Sequence, residues 1–141
     1  ATFFTVYALT RFLFSLFGGL WVDKYTAKTM FRFYLIPMSL GLIPFALMNS
    51  IMGAFMFLIM AGITVGLSGT VKSSLIAEIY GTKNLGAIRS IFTMFMVIST
   101  ALGPLFVGFL IDMGVDFSSI ILLLMFFMAL IVLNSQRITS F

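Results

Sequence analysis

The sequence predicts an all-α integral membrane protein, built as a bundle of five transmembrane helices. The first observation is compositional: 62% of the 141 residues are hydrophobic and 9% are charged, whereas a soluble domain carries roughly 25% charged residues. The second is that the apolar residues form five runs, each able to provide the ~20 helical residues that cross a bilayer core. The third is that the Lys and Arg residues collect in alternate connections between these runs.

Five spans are predicted in order along the chain, at about residues 2–22, 30–48, 51–80, 85–111 and 117–135. The connections between them are short and cover residues 23–29, 49–50, 81–84 and 112–116. Short connections predict that neighbouring helices pack antiparallel, and they leave no room for a soluble domain. We therefore expect a single membrane domain surrounded by a lipid bilayer. Because the chain opens at Ala1 within an apolar run, we also expect it to be a fragment of a longer protein.

The first span is delimited by charge and the second is bent by prolines. Span one ends at Trp21-Val22, where Asp23 begins a charged segment. Pro37 and Pro44 lie two turns apart in span two. Each proline lacks a backbone donor and crowds the preceding turn, so we expect both to bend the helix. The backbone groups that such bends free should find other partners nearby.

Spans three to five are marked by small residues, a further proline and uniform apolarity. Gly62-x-x-x-Gly66 in span three permits another helix to approach closely. Gly103-Pro104 predicts a bend in span four. Span five is apolar on all sides over residues 120–133, as expected of a helix that faces lipid.

The positions of the cations predict which side of the membrane each connection occupies. Seven of the eight lie in the regions 23–32 and 72–89 or after span five, at Lys24, Lys28, Arg32, Lys72, Lys83, Arg89 and Arg137. These regions comprise two of the connections and the adjoining span ends, since the last two turns of span three are expected to leave the membrane. The connections 49–50 and 112–116 contain neither Lys nor Arg. By the positive-inside rule, the cation-bearing connections and the C-terminus are predicted to be cytoplasmic.

Several classes of function are disfavoured by composition. The pI near 9.8 does not indicate a nucleic-acid partner, because the cations sit in short gaps between apolar runs and not on one water-facing surface. The chain contains no Cys and no His, which removes thiolate ligands and the commonest general base. The four acids lie away from mid-membrane depth, at Asp23, Glu78, Asp112 and Asp116. We therefore expect no enzymatic activity, no metal site and no cofactor.

Arg11 is the one cation predicted to lie deep inside a span, away from both ends. It precedes Asp23 by about 17 Å of helix at 1.5 Å per residue, which places it near the bilayer midplane. A charge at that depth normally faces a watery cavity or a partner, although a long side chain can also extend toward the interface. Tyr7 and Ser15 lie one turn to either side on the same face. Because a fixed guanidinium suits a carboxylate or another anion, these three residues are candidates to line a substrate cavity.

Span three adds two further cavity candidates. Thr64 and Ser68 are hydroxyl-bearing residues one turn apart, and Thr70 follows them. Such side chains can contact a solute. They can equally form hydrogen bonds with the backbone of their own helix.

The segment Gly19-Leu-Trp-Val-Asp23-Lys24-Tyr-Thr-Ala-Lys28 resembles the loop signature of the major facilitator superfamily. In that signature, glycine and aspartate are separated by three residues and are followed by basic residues and a second glycine. The matching positions are Gly19, Asp23, Lys24 and Lys28. Thr26 stands where the second glycine is expected, and Thr29 stands at the last basic position.

Further stretches are similar to bacterial members of the same superfamily. Residues 77–89 resemble the loop between helices ten and eleven, and residues 100–112 look like helix eleven. The stretches 7–11 and 33–37 are also similar to those proteins. The resemblance covers nearly the whole chain and keeps its order.

The resemblance implies a helical bundle of the superfamily type, in which the five spans are helices eight to twelve of a twelve-helix carrier. The chain would then be a truncated C-terminal half that lacks helix seven. The implied partners are the N-terminal half and a small-molecule solute, which binds between the halves near the midplane. Helices eight, ten and eleven would line the cavity, while nine and twelve would face lipid. The implied location is the bacterial inner membrane.

The resemblance also implies a cytoplasmic gate. Its residues would be those of the signature loop together with two charged residues farther along, namely Gly19, Asp23, Lys24, Lys28, Glu78 and Arg89. Within it, Glu78 is predicted to pair with a cation of residues 24–32 or with Arg89.

The predicted function is therefore transmembrane transport of a small solute by alternating access. Arg11 favours an organic anion. Some carboxylate carriers of the superfamily use an arginine four residues before the signature glycine, whereas Arg11 stands eight before Gly19 and Ser15 occupies the usual place. The alternative is a non-transporting membrane subunit or scaffold whose helices bind partner helices. Uptake by a variant without the Arg11 side chain would distinguish the two.

Overall fold

A computed structural model of the chain describes residues 2–48 and 50–138. Helices account for nearly all of them: α1 Thr2–Tyr25, α2 Ala27–Phe33, α3 Ile36–Leu47, α4 Ile51–Tyr80, α5 Leu85–Asp112 and α6 Phe117–Ile138. Helices α2 and α3 together form one span, so the described residues contain five segments long and apolar enough to cross a membrane. The predicted fold class, an all-helical membrane protein with five spans, is confirmed.

The first predicted connection is much shorter in the structure than in the prediction. Helix α1 continues through Asp23 and Lys24 to Tyr25, and α2 already begins at Ala27. Only Thr26 separates the two helices. Its φ of 65° and ψ of 148° lie outside the helical region and change the direction of the chain. The signature segment is therefore mostly helical.

Span two is interrupted before its first proline, as a proline inside a helix requires. Helix α2 ends at Phe33, Tyr34 and Leu35 form a turn, and Pro37 lies in the first turn of α3. The ring of Pro37 would clash with the carbonyl of Phe33, four residues earlier, and Pro37 has no N–H to donate. Pro44 lies inside α3.

The remaining boundaries follow local capping. Ser50 caps α4, because its hydroxyl accepts from the backbone N–H of Gly53 at 3.4 Å, and Gly81 ends that helix with a φ of 72°. Asp116 caps α6 by accepting from the backbone N–H of Ser119 at 3.2 Å. The predicted connection at 49–50 includes Asn49, which lies outside the described residues, as does Ala1.

The largest contact between helices joins α1 to α4. These helices run parallel, since Phe3 contacts Phe55 near their beginnings, with ring centroids 5.4 Å apart, and Gly18 contacts Thr70 near their ends. Gly62 and Gly66 lie buried at the crossing, so the predicted close approach at this pair is confirmed.

Helix α3 makes the second large contact with α4, again through glycines. A Cβ at Gly41 would lie 2.7 Å from the Cβ of Met60, and one at Gly53 would lie 2.7 Å from the carbonyl oxygen of Pro44. Helix α5, in contrast, makes only small contacts with α4 and α6. The prediction that neighbouring spans pack antiparallel therefore describes α3 with α4, while α1 packs chiefly on a helix that is not its neighbour.

A small core closes one end of the bundle. Ala27 and Val71 are fully buried there, and Val22, Tyr34 and Leu67 complete the cluster. These residues come from α1, from span two and from α4, so they hold the three spans together where α1 meets α2. Away from this core the surface is apolar, and no residue of α5 is buried. An apolar surface of this kind is expected of helices that contact lipid.

Candidate functional site

Arg11 lies on α1 at the level where that helix crosses α4. The backbone oxygen of Arg11 would be 2.6 Å from a Cβ at Gly66, whereas its side chain is exposed. Within residues 2–48 and 50–138 the guanidinium has no hydrogen-bond or ion-pair partner. Of its predicted neighbours on the same face, Ser15 is exposed and Tyr7 is half-buried. The arrangement leaves an exposed cation, with the hydroxyl-bearing residues Tyr7 and Ser15 one turn to either side, available to an anion from outside the described chain.

Thr64 lies buried between α3 and α4. Its side chain is 3% exposed, and its hydroxyl oxygen accepts from the backbone N–H of Met38 at 3.1 Å. Ser68 is half-buried and donates to the carbonyl of Val65 at 2.9 Å. The structure thus brings these hydroxyls onto backbone groups of α3 and α4 and does not group Thr64 with Arg11. Direct contact of either residue with a solute stays a prediction.

The hydroxyl groups of α5 are likewise satisfied within their own helix. Thr93 donates to the carbonyl of Arg89 at 2.9 Å, and Thr100 donates to that of Met96 at 2.8 Å. Two open depressions follow α5, the first lined by Arg89, Ser90, Thr93, Met94, Val97 and Ile98, and the second by Ser99, Leu102, Gly103, Leu105, Phe106 and Phe109. Both are lined by α5 alone, so each is a surface groove.

The signature residues lie on two helices around Thr26. Gly19 lies in α1, and a Cβ at this position would have nothing within 4 Å, while Asp23 and Lys24 are exposed in the last turn of the helix. Lys28 is exposed in α2, and Lys24 places its Nζ 5.2 Å from the centroid of the Tyr25 ring. The charged residues of this segment that were predicted to form a gate are therefore exposed, and a role in gating stays a prediction.

Glu78 binds the beginning of α2, and not a cation. Its Oε1 accepts from the backbone N–H of Ala27 at 2.9 Å, where the carboxylate satisfies an unpaired helical donor and faces the positive end of the helix dipole. Arg89 donates instead to the hydroxyl of Ser73 at 2.8 Å and ties α5 to α4. The predicted ion pair of Glu78 with Arg89 or with a cation of residues 24–32 is not formed among the described residues of this structure.

Three cation-bearing segments meet at this end of the bundle. Glu78 brings the end of α4 to the start of α2. The end of α6 joins them, because Arg32 donates to the carbonyl of Gln136 at 3.5 Å and Ser135 donates to that of Phe31 at 3.5 Å. Lys72 places its Nζ 5.9 Å from the centroid of the Tyr34 ring. These contacts bring the segments that carry Arg32, Lys72 and Arg137 together at one end of the bundle.

Two of these hydrogen bonds between helices could not be predicted from the sequence. Thr64 and Glu78 act on backbone N–H groups of another helix, and no side-chain pattern reveals a backbone partner. Pro37 was a signal for the hydrogen bond of Thr64, because a bend in a helix leaves a backbone N–H without its usual acceptor. The superfamily signature has a glycine where this chain has Thr26, and that glycine was a signal that the backbone at this position is unusual.

A family model described as Major Facilitator Superfamily matches residues 1–136. The chain belongs to the major facilitator superfamily. No curated protein and no solved structure matches it significantly. Members of this superfamily transport solutes across membranes, so a role in membrane transport follows from membership. The transporter fold also explains why so much apolar surface on α5 and α6 faces outward.

Proposed function

We propose that this chain supplies helices eight to twelve of a bacterial carrier and moves a small solute by alternating access together with an N-terminal half. Five spans and the family match over residues 1–136 support this assignment. The open faces of α1 and α5 support it as well, because a carrier of this kind places its solute between two halves. On this proposal, α1, α4 and α5 contribute to the transport path.

The solute we propose is a small organic anion, and Arg11 binds it. The observation that carries this proposal is an exposed guanidinium at the crossing of α1 and α4 without a partner among the described residues. An arginine in the membrane interior is costly unless it faces water or a counter-charge. A carboxylate would supply that counter-charge through two parallel hydrogen bonds, and Tyr7 and Ser15 lie within one turn to assist.

The test is uptake of radiolabelled small carboxylates by the carrier that contains this chain, reconstituted in proteoliposomes. Arg11→Ala should reduce uptake at least tenfold, since a charged hydrogen-bonded pair is worth roughly 1.5–3 kcal/mol. Arg11→Lys should retain charge but lose the bidentate geometry, which raises KM more than it lowers kcat. Lys83→Ala is the matched control, because it removes a cation from the connection before α5. Undiminished uptake by the Arg11→Ala protein would exclude Arg11 as a residue that binds the solute.

We further propose that the end of the bundle around Glu78 is the cytoplasmic gate. The residues involved are those of the signature segment with the ends of α4 and α5, that is Gly19, Asp23, Lys24, Lys28, Glu78 and Arg89. The bond from the N–H of Ala27 to Glu78 ties α2 to α4 at this end. Glu78→Gln keeps an acceptor but removes the charge that faces the helix dipole. It should slow uptake without changing the amount of inserted protein. Unaltered uptake by both Glu78→Gln and Glu78→Ala would exclude this role.

The same proposal places this end of the bundle, and the C-terminus, on the cytoplasmic side of the bacterial inner membrane. The chain contains no Cys, so single cysteines report their own accessibility. In a carrier made cysteine-free elsewhere, a cysteine at Lys83 should be labelled by an impermeant maleimide only after the membrane is opened. One at Val115 should be labelled from outside. The reverse pattern would invert the topology.

A further inference from the structure

Span two contains a backbone donor that its own helix does not satisfy. In an unbroken helix, the N–H of Met38 would bond the carbonyl of Tyr34, four residues earlier. In the structure it bonds the hydroxyl oxygen of Thr64 on α4 at 3.1 Å. The regular pattern resumes one residue later, where the N–H of Ser39 bonds the carbonyl of Leu35 at 3.2 Å.

Pro37 accounts for the position of this donor. Proline has no N–H, and its ring forces the preceding turn open. The hydrogen bond that the N–H of the next residue, Met38, would make to the carbonyl of Tyr34 is therefore lost as well. Leu35 stands at the N-cap position of α3 and has no side chain that could cap the helix. A polar group from another helix is therefore required, because an unpaired N–H in an apolar interior is costly.

We propose that the Thr64 hydroxyl is a positioning group that holds the bend in span two. It inserts into the opened hydrogen-bond ladder, which is one of the recognised causes of a fixed kink. At 3% exposure it lies between helices, with its oxygen already engaged. The bend directs α2 so that Tyr34 reaches the core and Ala27 reaches Glu78. The inference does not rest on the proposed solute and survives if Arg11 has no role.

Amide hydrogen exchange at Met38 tests the proposal directly. The chain has 11 Met residues, so ¹⁵N-methionine labelling of the whole protein in detergent gives few NMR signals, and the Met38→Leu spectrum assigns the one required. Thr64→Val removes the acceptor at nearly constant volume and leaves the donor unsatisfied. It should speed exchange of the Met38 amide about tenfold, which corresponds to about 1.4 kcal/mol. Thr64→Ser keeps the acceptor and should retain slow exchange. Thr93→Val, on α5, is the control and should leave Met38 unchanged.

A second variant keeps the test decisive if Thr64→Val folds poorly. Pro37→Ala restores an N–H and removes the ring, so the N–H of Met38 can return to the carbonyl of Tyr34. In that background Thr64→Val should change Met38 exchange less than twofold, and the double variant should fold. Equal protection of Met38 in the Thr64→Val and parent proteins would overturn the proposal. So would an undiminished effect of Thr64→Val in the Pro37→Ala background, since Thr64 would then stabilise the fold by packing alone.

Discussion

Replacing Thr26 by glycine should stabilise the protein. Thr26 is the only non-glycine residue with a positive φ among the described residues, at 65° with ψ at 148°. This part of the backbone map is populated almost entirely by glycine, and a β-branched residue is especially disfavoured there. The signature of the superfamily has glycine at this position, so the geometry shows why the signature needs one and what its absence costs here.

The size of the effect follows from two opposing terms. A residue held in such a region stores about 1–3 kcal/mol of strain. Glycine loses more freedom on folding and so costs about 0.4–1 kcal/mol through the unfolded state. The hydroxyl of Thr26 contacts that of Thr29 at 3.2 Å, but the contact is exposed and contributes little. The net gain for Thr26→Gly is therefore about 0.5–2 kcal/mol.

Thermal unfolding in a mild detergent, followed by the loss of monodisperse protein on heating, measures this gain. Thr29→Gly is the matched control, because the same substitution three residues later falls inside α2 and should cost about 0.5–1 kcal/mol. Thr26→Gly should raise the unfolding temperature and Thr29→Gly should lower it. If the two variants lose stability alike, Thr26 carries no backbone strain and the reasoning fails.

Two further predictions concern packing and capping. Gly66→Ala should cost about 1–3 kcal/mol of unfolding free energy, because the new Cβ would lie 2.6 Å from a backbone oxygen of α1. Gly69→Ala is the control, since a Cβ there would have open space around it, and it should be neutral or slightly stabilising in the same unfolding assay. Equal losses of stability in the two variants would refute the close contact at Gly66. Hydrogen bonds from the hydroxyl and the backbone N–H of Ser119 lower the pKa of Asp116 below its ordinary value. The cap on α6 is therefore intact above that ordinary value and is lost as pH falls through the lowered pKa. Protection of the Ser119 amide, that is its exchange rate relative to an unstructured peptide at the same pH, should fall over that range in the parent protein. The same fall in Asp116→Ala would exclude the cap as the cause.

Composition and spacing were sufficient to predict the fold class. Hydrocarbon thickness sets the length of an apolar run, so all five spans were found. The third span, 51–80, matches α4 at both ends. The Gly62 and Gly66 contact was also predictable, because small residues one turn apart have few other uses in a membrane helix.

The partners of individual side chains were beyond sequence reasoning. A short connection predicts that two successive helices pack against each other, but the close approach at Gly66 favoured a contact between α1 and α4 instead. Charge complementarity predicted that Glu78 pairs with a cation, whereas in the structure its carboxylate accepts from the unpaired backbone N–H of Ala27 at the start of α2. Prolines marked where span two would bend, but only the fold shows that Thr64 reaches the donor freed there.

The parallel pairing of α1 with α4 has a consequence for biosynthesis. Gly66, which receives the backbone of Arg11, follows it by 55 residues in the sequence. At ~5–20 residues per second, a ribosome needs roughly 3–11 s to make that stretch. During this interval α1 resides in the translocon or in lipid without its main packing partner. The pair can therefore assemble only after α4 has been made, and the contact at Gly66 cannot hold α1 in the membrane before then.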